Sequence, residues 1–223
     1  MKRKLWMTLL ALCLVVPLAQ AGLFKNSVDL ADLSETSPEA LETLKDTEFA
    51  VFVARVRLNT AKADERRAGG GVKAADRTLE AENLDLKAAK AELKAAKANV
   101  DENRSTAAAA QIAGAEEDLE TSRALRKWKE QEREAQEARV AMAKSALDLA
   151  EARRDLARVS LLKSESAPSA EKYDIDEFEK SVAKRQKEYD SANGKAIEKT
   201  ARVDKAKAAW DRIAKNVELV GEE

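Results

Sequence analysis

A seven-residue apolar repeat begins at Val72 and restricts how this chain can fold more than any other feature. Val72, Leu79, Leu86, Leu93 and Val100 hold its first position, and Ala75, Ala89 and Ala96 its fourth, with Glu82 the exception. Counted on without a slip, the first position falls on Ala107, Gly114, Thr121, Trp128, Ala135, Met142, Leu149 and Leu156. The fourth takes Ala110, Ala124, Ala138, Ala152 and Val159. This spacing lays one apolar stripe along a helix and asks for a partner helix against it. A register kept from Val72 to Val159 predicts one continuous helix or two collinear ones. At a rise of 1.5 Å per residue, Val72 to Lys163 would span roughly 140 Å. The weak part is NRSTAAAAQIAG, residues 103–114, where core positions are small or polar and a break capped by Ser105 is the alternative.

Breakers and caps divide the rest. Ser37-Pro38 with Glu39 and Glu42 reads as a helix start: a capping hydroxyl, a proline at the first helical position and acids at the positive end of the dipole. Gly69, Gly70 and Gly71 have no helix-forming value and predict the tip of a turn. SESAPSA, residues 164–170, predicts a second interruption, because Pro168 can open a helix but not continue one. Beyond it the repeat resumes at Ile175, Val182, Tyr189, Ala196, Val203, Trp210 and Val217. Phe178, Ala192, Ala206, Ile213 and Val220 stand in the fourth position, and Arg185 and Lys199 are its polar exceptions. Asn193-Gly194 is a turn signal that the repeat crosses without slipping, so it reads as a soft spot in one helix.

The expected fold class is therefore all-α: an elongated antiparallel coiled coil of helical hairpins, with a long central helix and two folded-back arms. Its parts are residues 1–21 as a cleaved signal, 22–37 as an extended or short amphipathic segment, and 38–103 as a first hairpin turning at 69–71. A second hairpin, 104–219, turns at 164–169 and continues the first, and 220–223 form a tail. Folding back at these turns would set Trp128 near Val203 and Trp210 near Thr121 and Ala124, with Phe49 and Phe52 against Ala88 to Ala91, large on small.

The N-terminus carries the address. MKRK is a basic start, LWMTLLALCLVVPL a short apolar run, and LAQA a small-x-small cleavage pattern ending at Ala21. This predicts export to the periplasm or beyond, without an integral membrane span once the signal is removed. Loss of Lys2, Arg3 and Lys4 leaves 37 basic against 41 acidic residues, a net charge of −4. The only cysteine, Cys13, leaves too, and the chain has no histidine. Packing alone must then hold an exported protein together.

These absences bound the chemistry. General acid–base work most often uses His, and soft-metal sites use His or Cys, so catalysis and a cofactor are not expected. The glycines lack the Lys-Ser/Thr of a phosphate loop. No basic stripe dominates, which argues against nucleic acid. YDIDEFE, residues 173–179, lacks the spacing and central glycine of a calcium loop and reads as acids at a helix N-terminus.

Two surfaces stand out. FAVFVARV, residues 49–56, is apolar almost all round in a chain that is 36% charged and 4% aromatic. Phe49, Val51, Phe52, Val53 and Val56 form a candidate interaction patch for a protein partner or a second copy, unless Leu23, Phe24, Val28, Leu30 and Leu33 fold over it. Lys87, Lys90, Lys94 and Lys97 share one helical face. They form a candidate docking stripe for an anionic membrane surface or acidic protein, though a flank salt-bridged to Glu42 and Asp46 is the favoured reading.

In build the chain resembles exported helical-hairpin proteins such as the Skp-type periplasmic chaperones and the hairpins of efflux adaptor proteins. The resemblance is one of architecture, and no motif carries residues across. It implies a non-catalytic spacer, scaffold or adaptor of the bacterial envelope, with a holdase chaperone and a peripheral membrane protein as alternatives.

Overall fold

The structure, a computed structural model, describes residues 27–220, with side chains to residue 215. The expected signal segment and the end of the expected tail lie outside the described residues, as do Leu23 and Phe24. The described chain is helical throughout, with no strand among its residues. A 3-10 turn at Asp32–Glu35 precedes α1 (Pro38–Glu42), α2 (Lys45–Ala98) and α3 (Glu102–Ser164). A second 3-10 turn, Pro168–Lys172, leads into α4 (Ile175–Val220). Ser37 Oγ accepts from Ala40 N at 3.2 Å and so caps α1, with Pro38 at its first position.

The turn expected at 69–71 is absent, because α2 runs straight through the three glycines. None of the described glycines has a positive φ. The physical reason lies in a repeat that does not stop at Val72. Counted backwards in sevens, Val72 leads through the polar exception Glu65 to Leu58, Val51 and Leu44, and Ala75 leads to Ala68, Ala61 and Ala54. Leu44, Val51, Ala54, Ala68, Ala75, Ala89 and Ala96 are all buried. Three glycines cost a helix about 1 kcal/mol each relative to alanine. A seam of more than seven turns outweighs that local cost.

The chain reverses at Asn99-Val100-Asp101 instead, so the expected continuity from Val72 into residues 103–159 is also corrected. Asp101 N donates to Ala96 O at 3.1 Å and Val100 N to Lys97 O at 3.2 Å, which satisfies the last carbonyls of α2. Asp101 Oδ1 accepts from Arg104 N at 3.0 Å and caps α3. One three-residue turn thus ends one helix and starts the next. Residues 103–114, the expected weak zone, lie within α3.

Contacts between the long helices show how they run. Glu92 meets Arg104 at 2.6 Å, Asp76 meets Arg126 at 2.6 Å, and Arg55 meets Glu151 at 3.1 Å. Numbers fall along α2 as they rise along α3, so the two are antiparallel. α4 lies on another side of α3, also antiparallel: Arg153 Nη2 donates to Gln186 Oε1 at 2.8 Å, and Lys199 Nζ meets Glu134 Oε2 at 2.6 Å. The expected neighbours of Trp210 are corrected: it stacks on Trp128, where the sequence count set it near Thr121 and Ala124. The polar exceptions reach across this contact. Lys199 holds the carboxyl of Glu134 below the usual range through its hydrogen bond. Arg185 Nη1 lies 2.7 Å from Glu188 and 4.0 Å from Asp148.

The one thick core sits at the end of the bundle where the chain enters. Val28, Leu33 and Leu44 pack there with Val159, Leu161, Leu162, Ala167 and Phe178. Elsewhere among the described residues the interior is a thin seam, mostly alanine with Val51, Leu119 and Leu149, as a 4% aromatic chain dictates. Polar bonds tie the entering segment over this core. Tyr173 Oη donates to Asp32 Oδ2 at 2.6 Å and accepts from Asp29 N at 3.0 Å. Glu35 Oε2 accepts from both Ser169 N, 3.0 Å, and Ser169 Oγ, 2.7 Å. Below the core, buried Arg158 bridges Glu48 of α2 and Asp155 of its own helix. Burial pushes the Asp155 carboxyl above the usual carboxylate range, against the pull of Arg154 and Arg158.

Candidate functional site

The five candidate patch residues of FAVFVARV point three ways. Val51 faces α3 and is 4% exposed. Val53 is half-buried beside Leu149, Ala150 and Tyr189, at a groove between α2 and α4. Phe49, Phe52 and Val56 face solvent, with 65, 61 and 48% of their surface exposed. The cause is the seam itself. With Val51 and Ala54 turned inward, residues 49, 52 and 56 fall on the outer positions of the heptad, where long helices ordinarily carry charge. Two phenylalanines stand there instead, their rings stacked at 6.3 Å and 28°.

Phe49 and Phe52 do not meet Ala88 to Ala91, which lie about ten turns or more away along the same helix, α2. Nor do the described residues of the N-terminal segment cover them: Val28 and Leu33 are spent in the end core and Leu30 is itself 56% exposed. At the rim, Arg55 is held by Glu151 at 3.1 Å, so its charge is turned towards α3 and away from the rings.

Val56 also borders an open groove of about 720 Å³ that runs between α2 and α4. Ala143 and Ala146 of α3 form its floor, and Met142, Tyr189 and Ile197 its wall. It exists because α2 and α4 both pack on α3 through small residues without closing over it. Ile197 is 64% exposed and extends the apolar surface across the groove. It was not among the residues singled out from sequence, although its place directly after the inward Ala196 was a readable signal.

The four lysines are placed differently from expectation. Lys90 pairs with Glu116 of α3 at 3.1 Å, whereas Asp46 lies at the opposite end of α2 and Glu42 beyond it in α1. Lys87, Lys94 and Lys97 are exposed, close to the turn at Val100. In YDIDEFE, Asp174 Oδ1 accepts from Asp176 N at 3.0 Å, a local turn at the start of α4. Among the described residues no group of three or more His, Cys, Asp or Glu is placed to hold a metal ion. No helix among them is long and apolar enough to cross a membrane.

No protein-family model matches the sequence, and neither a curated protein nor a solved structure matches it.

Proposed function

We propose that this chain is a non-catalytic, exported coiled-coil protein of the bacterial envelope, periplasmic after cleavage behind Ala21. It acts as a spacer or scaffold through contacts between helices. The observation that supports this most is the outward Phe49–Phe52–Val56 face on a rod of long helices. Exposed contiguous apolar surface on a charged protein marks a place where another protein binds. Reach supports it too: α3 has 63 residues and so extends roughly 95 Å. The open alanine-floored groove supports a second reading, a holdase that shelters apolar client segments.

A photocrosslinking amino acid at Phe52, compared with one at Arg77 on the outer side of the same helix, tests the scaffold reading in the exporting cell. A discrete protein adduct from position 52 and none from 77 is expected. Equal or absent labelling at both would sink it. The holdase reading expects instead that equimolar protein keeps an unfolded outer-membrane protein from aggregating.

A further inference from the structure

We propose that the occupant of the Phe49–Phe52–Val56 face is a second copy of this chain, its α2 laid antiparallel on the first about a symmetry axis beside Phe52. This rests on the scaffold reading only in taking the face as a protein contact, and it names the partner. Three observations on α2 carry it.

First, the face is apolar at its centre and can be laid on its own copy. A contact between identical surfaces must be centred on residues that can meet themselves. With the axis beside Phe52, the two Phe52 rings adjoin, and Phe49 of each copy lies by Val56 of the other. The four rings, each about three-fifths exposed, would cover close to 500 Å² together if a phenylalanine offers roughly 200 Å². The flanking turns from Lys45 to Lys62 bring the contact towards the roughly 1,000 Å² that a specific interface needs.

Second, charge is divided about the rings. With Glu48 held by Arg158 and Arg55 by Glu151, Glu39, Glu42 and Asp46 stand against Lys45 alone before the rings, and Arg57 and Lys62 stand after them with no acid as far as residue 62. An antiparallel pair lays the acidic half of each copy on the basic half of the other, and a parallel pair lays like on like. Steering and register follow from such complementarity.

Third, the flanks match. In an antiparallel helix pair the same flank of each helix meets its counterpart. Asp46 and Arg57 share the flank that borders the groove. They are both exposed, and the axis at Phe52 brings Asp46 of one copy to Arg57 of the other.

The test measures the mass of residues 22–223 by sedimentation up to about 100 μM, the range of a weak standard-size contact. The wild type should dimerise, and Phe52→Glu should remain monomeric with unchanged helicity. Asp46→Arg, which faces Arg57 with a like charge, should weaken the dimer about tenfold or more. The double exchange Asp46→Arg with Arg57→Asp should restore it, a rescue that no folding defect can imitate. Asn59→Cys gives the arrangement, because residues 22–223 contain no other thiol. It should not link to itself across an antiparallel contact. A wild type that stays monomeric overturns the proposal and leaves the scaffold reading with a foreign partner. A dimer indifferent to Phe52→Glu, or an Asn59→Cys chain that links readily to itself, overturns it as well.

Discussion

Trp128 of α3 and Trp210 of α4 stack face to face, their ring centroids 4.9 Å apart at an interplanar angle of 22°. Lys129 Nζ lies over the ring of Trp128, 3.9 Å from its centroid, in a cation–π contact. The two indole N–H groups are buried without an acceptor in the structure. The stack therefore draws its stability from ring contact and burial rather than hydrogen bonding. It joins α3 to α4 at a distance from the end core and marks their register there.

A double-mutant cycle on Trp128→Ala and Trp210→Ala should return a coupling of about 1 kcal/mol, the usual worth of an aromatic pair beyond its area. Near-ultraviolet circular dichroism should lose the same signal in either single variant, because residues 22–223 contain no other tryptophan. Additive single effects in chemical denaturation would show that the rings are not in contact.

Gly70→Ala should stabilise the protein. Gly70 lies inside α2 with helical φ, and a Cβ added there meets nothing within 4 Å. Alanine in place of an exposed helical glycine is worth about 0.5–1 kcal/mol. The thermal midpoint should rise with Gly70→Ala and again with Gly69→Ala added. A fall in both would mean that the chain turns at the glycines after all.

Val100→Gly should also stabilise. Val100 sits at φ 55°, a left-handed conformation that a β-branched side chain resists, and it is 85% exposed. Nothing packs on the side chain to offset the strain. Glycine removes a penalty of about 1–2 kcal/mol at such a position, less its own extra freedom in the unfolded chain. A higher denaturation midpoint with unchanged helicity is expected. An unchanged or lower midpoint would show that the side chain is held by contacts.

Acid should loosen the entering segment through Asp32. Its carboxyl is held below the usual range, first by the hydrogen bond from Tyr173 and then by Lys172. A depressed folded pKa adds stability that is present above the unfolded value and is lost as pH falls through the folded one. The gap in midpoint between the wild type and Asp32→Asn should therefore be full near pH 7 and close on acidification below about pH 4. The Tyr173 hydroxyl is pushed up, by burial and then by Asp32, and so stays a donor throughout this range. A gap that stays constant to pH 3 would remove the Asp32–Tyr173 bond from the account.

Much of the molecule is written locally. The spacing of Val72, Leu79, Leu86 and Leu93 requires a helix with a single stripe, and the scarcity of large apolar residues requires a thin interior. Ser37 and Pro38 specify the start of α1, and Pro168 bars α3 from running on. The outward direction of Phe49 and Phe52 was legible as well, had the heptad been counted back through the glycines to Val51 and Ala54. That count fails only if a local breaker is given more weight than a long seam. Ile197 was open to the same counting.

The sequence by itself determined that these segments are helices and, for most of their length, which stripe is buried, because helical period and burial are properties of a single segment. The first third of α3 departs from the count, with Ala107, Ala110 and Gly114 exposed and Ala108, Leu119 and Ser122 turned inward. Only the tertiary structure decided where the chain reverses and how far α4 slides along α3. A heptad repeat looks alike after every shift of seven residues, so many pairings bury nearly the same seam. The choice among them falls to contacts between residues far apart in sequence: Tyr173 on Asp32, Glu48 on Arg158, Trp210 on Trp128. The turn at Val100 follows from the same cause. Its local strain is small beside the alanine seam that lines up once α2, glycines included, lies whole along α3.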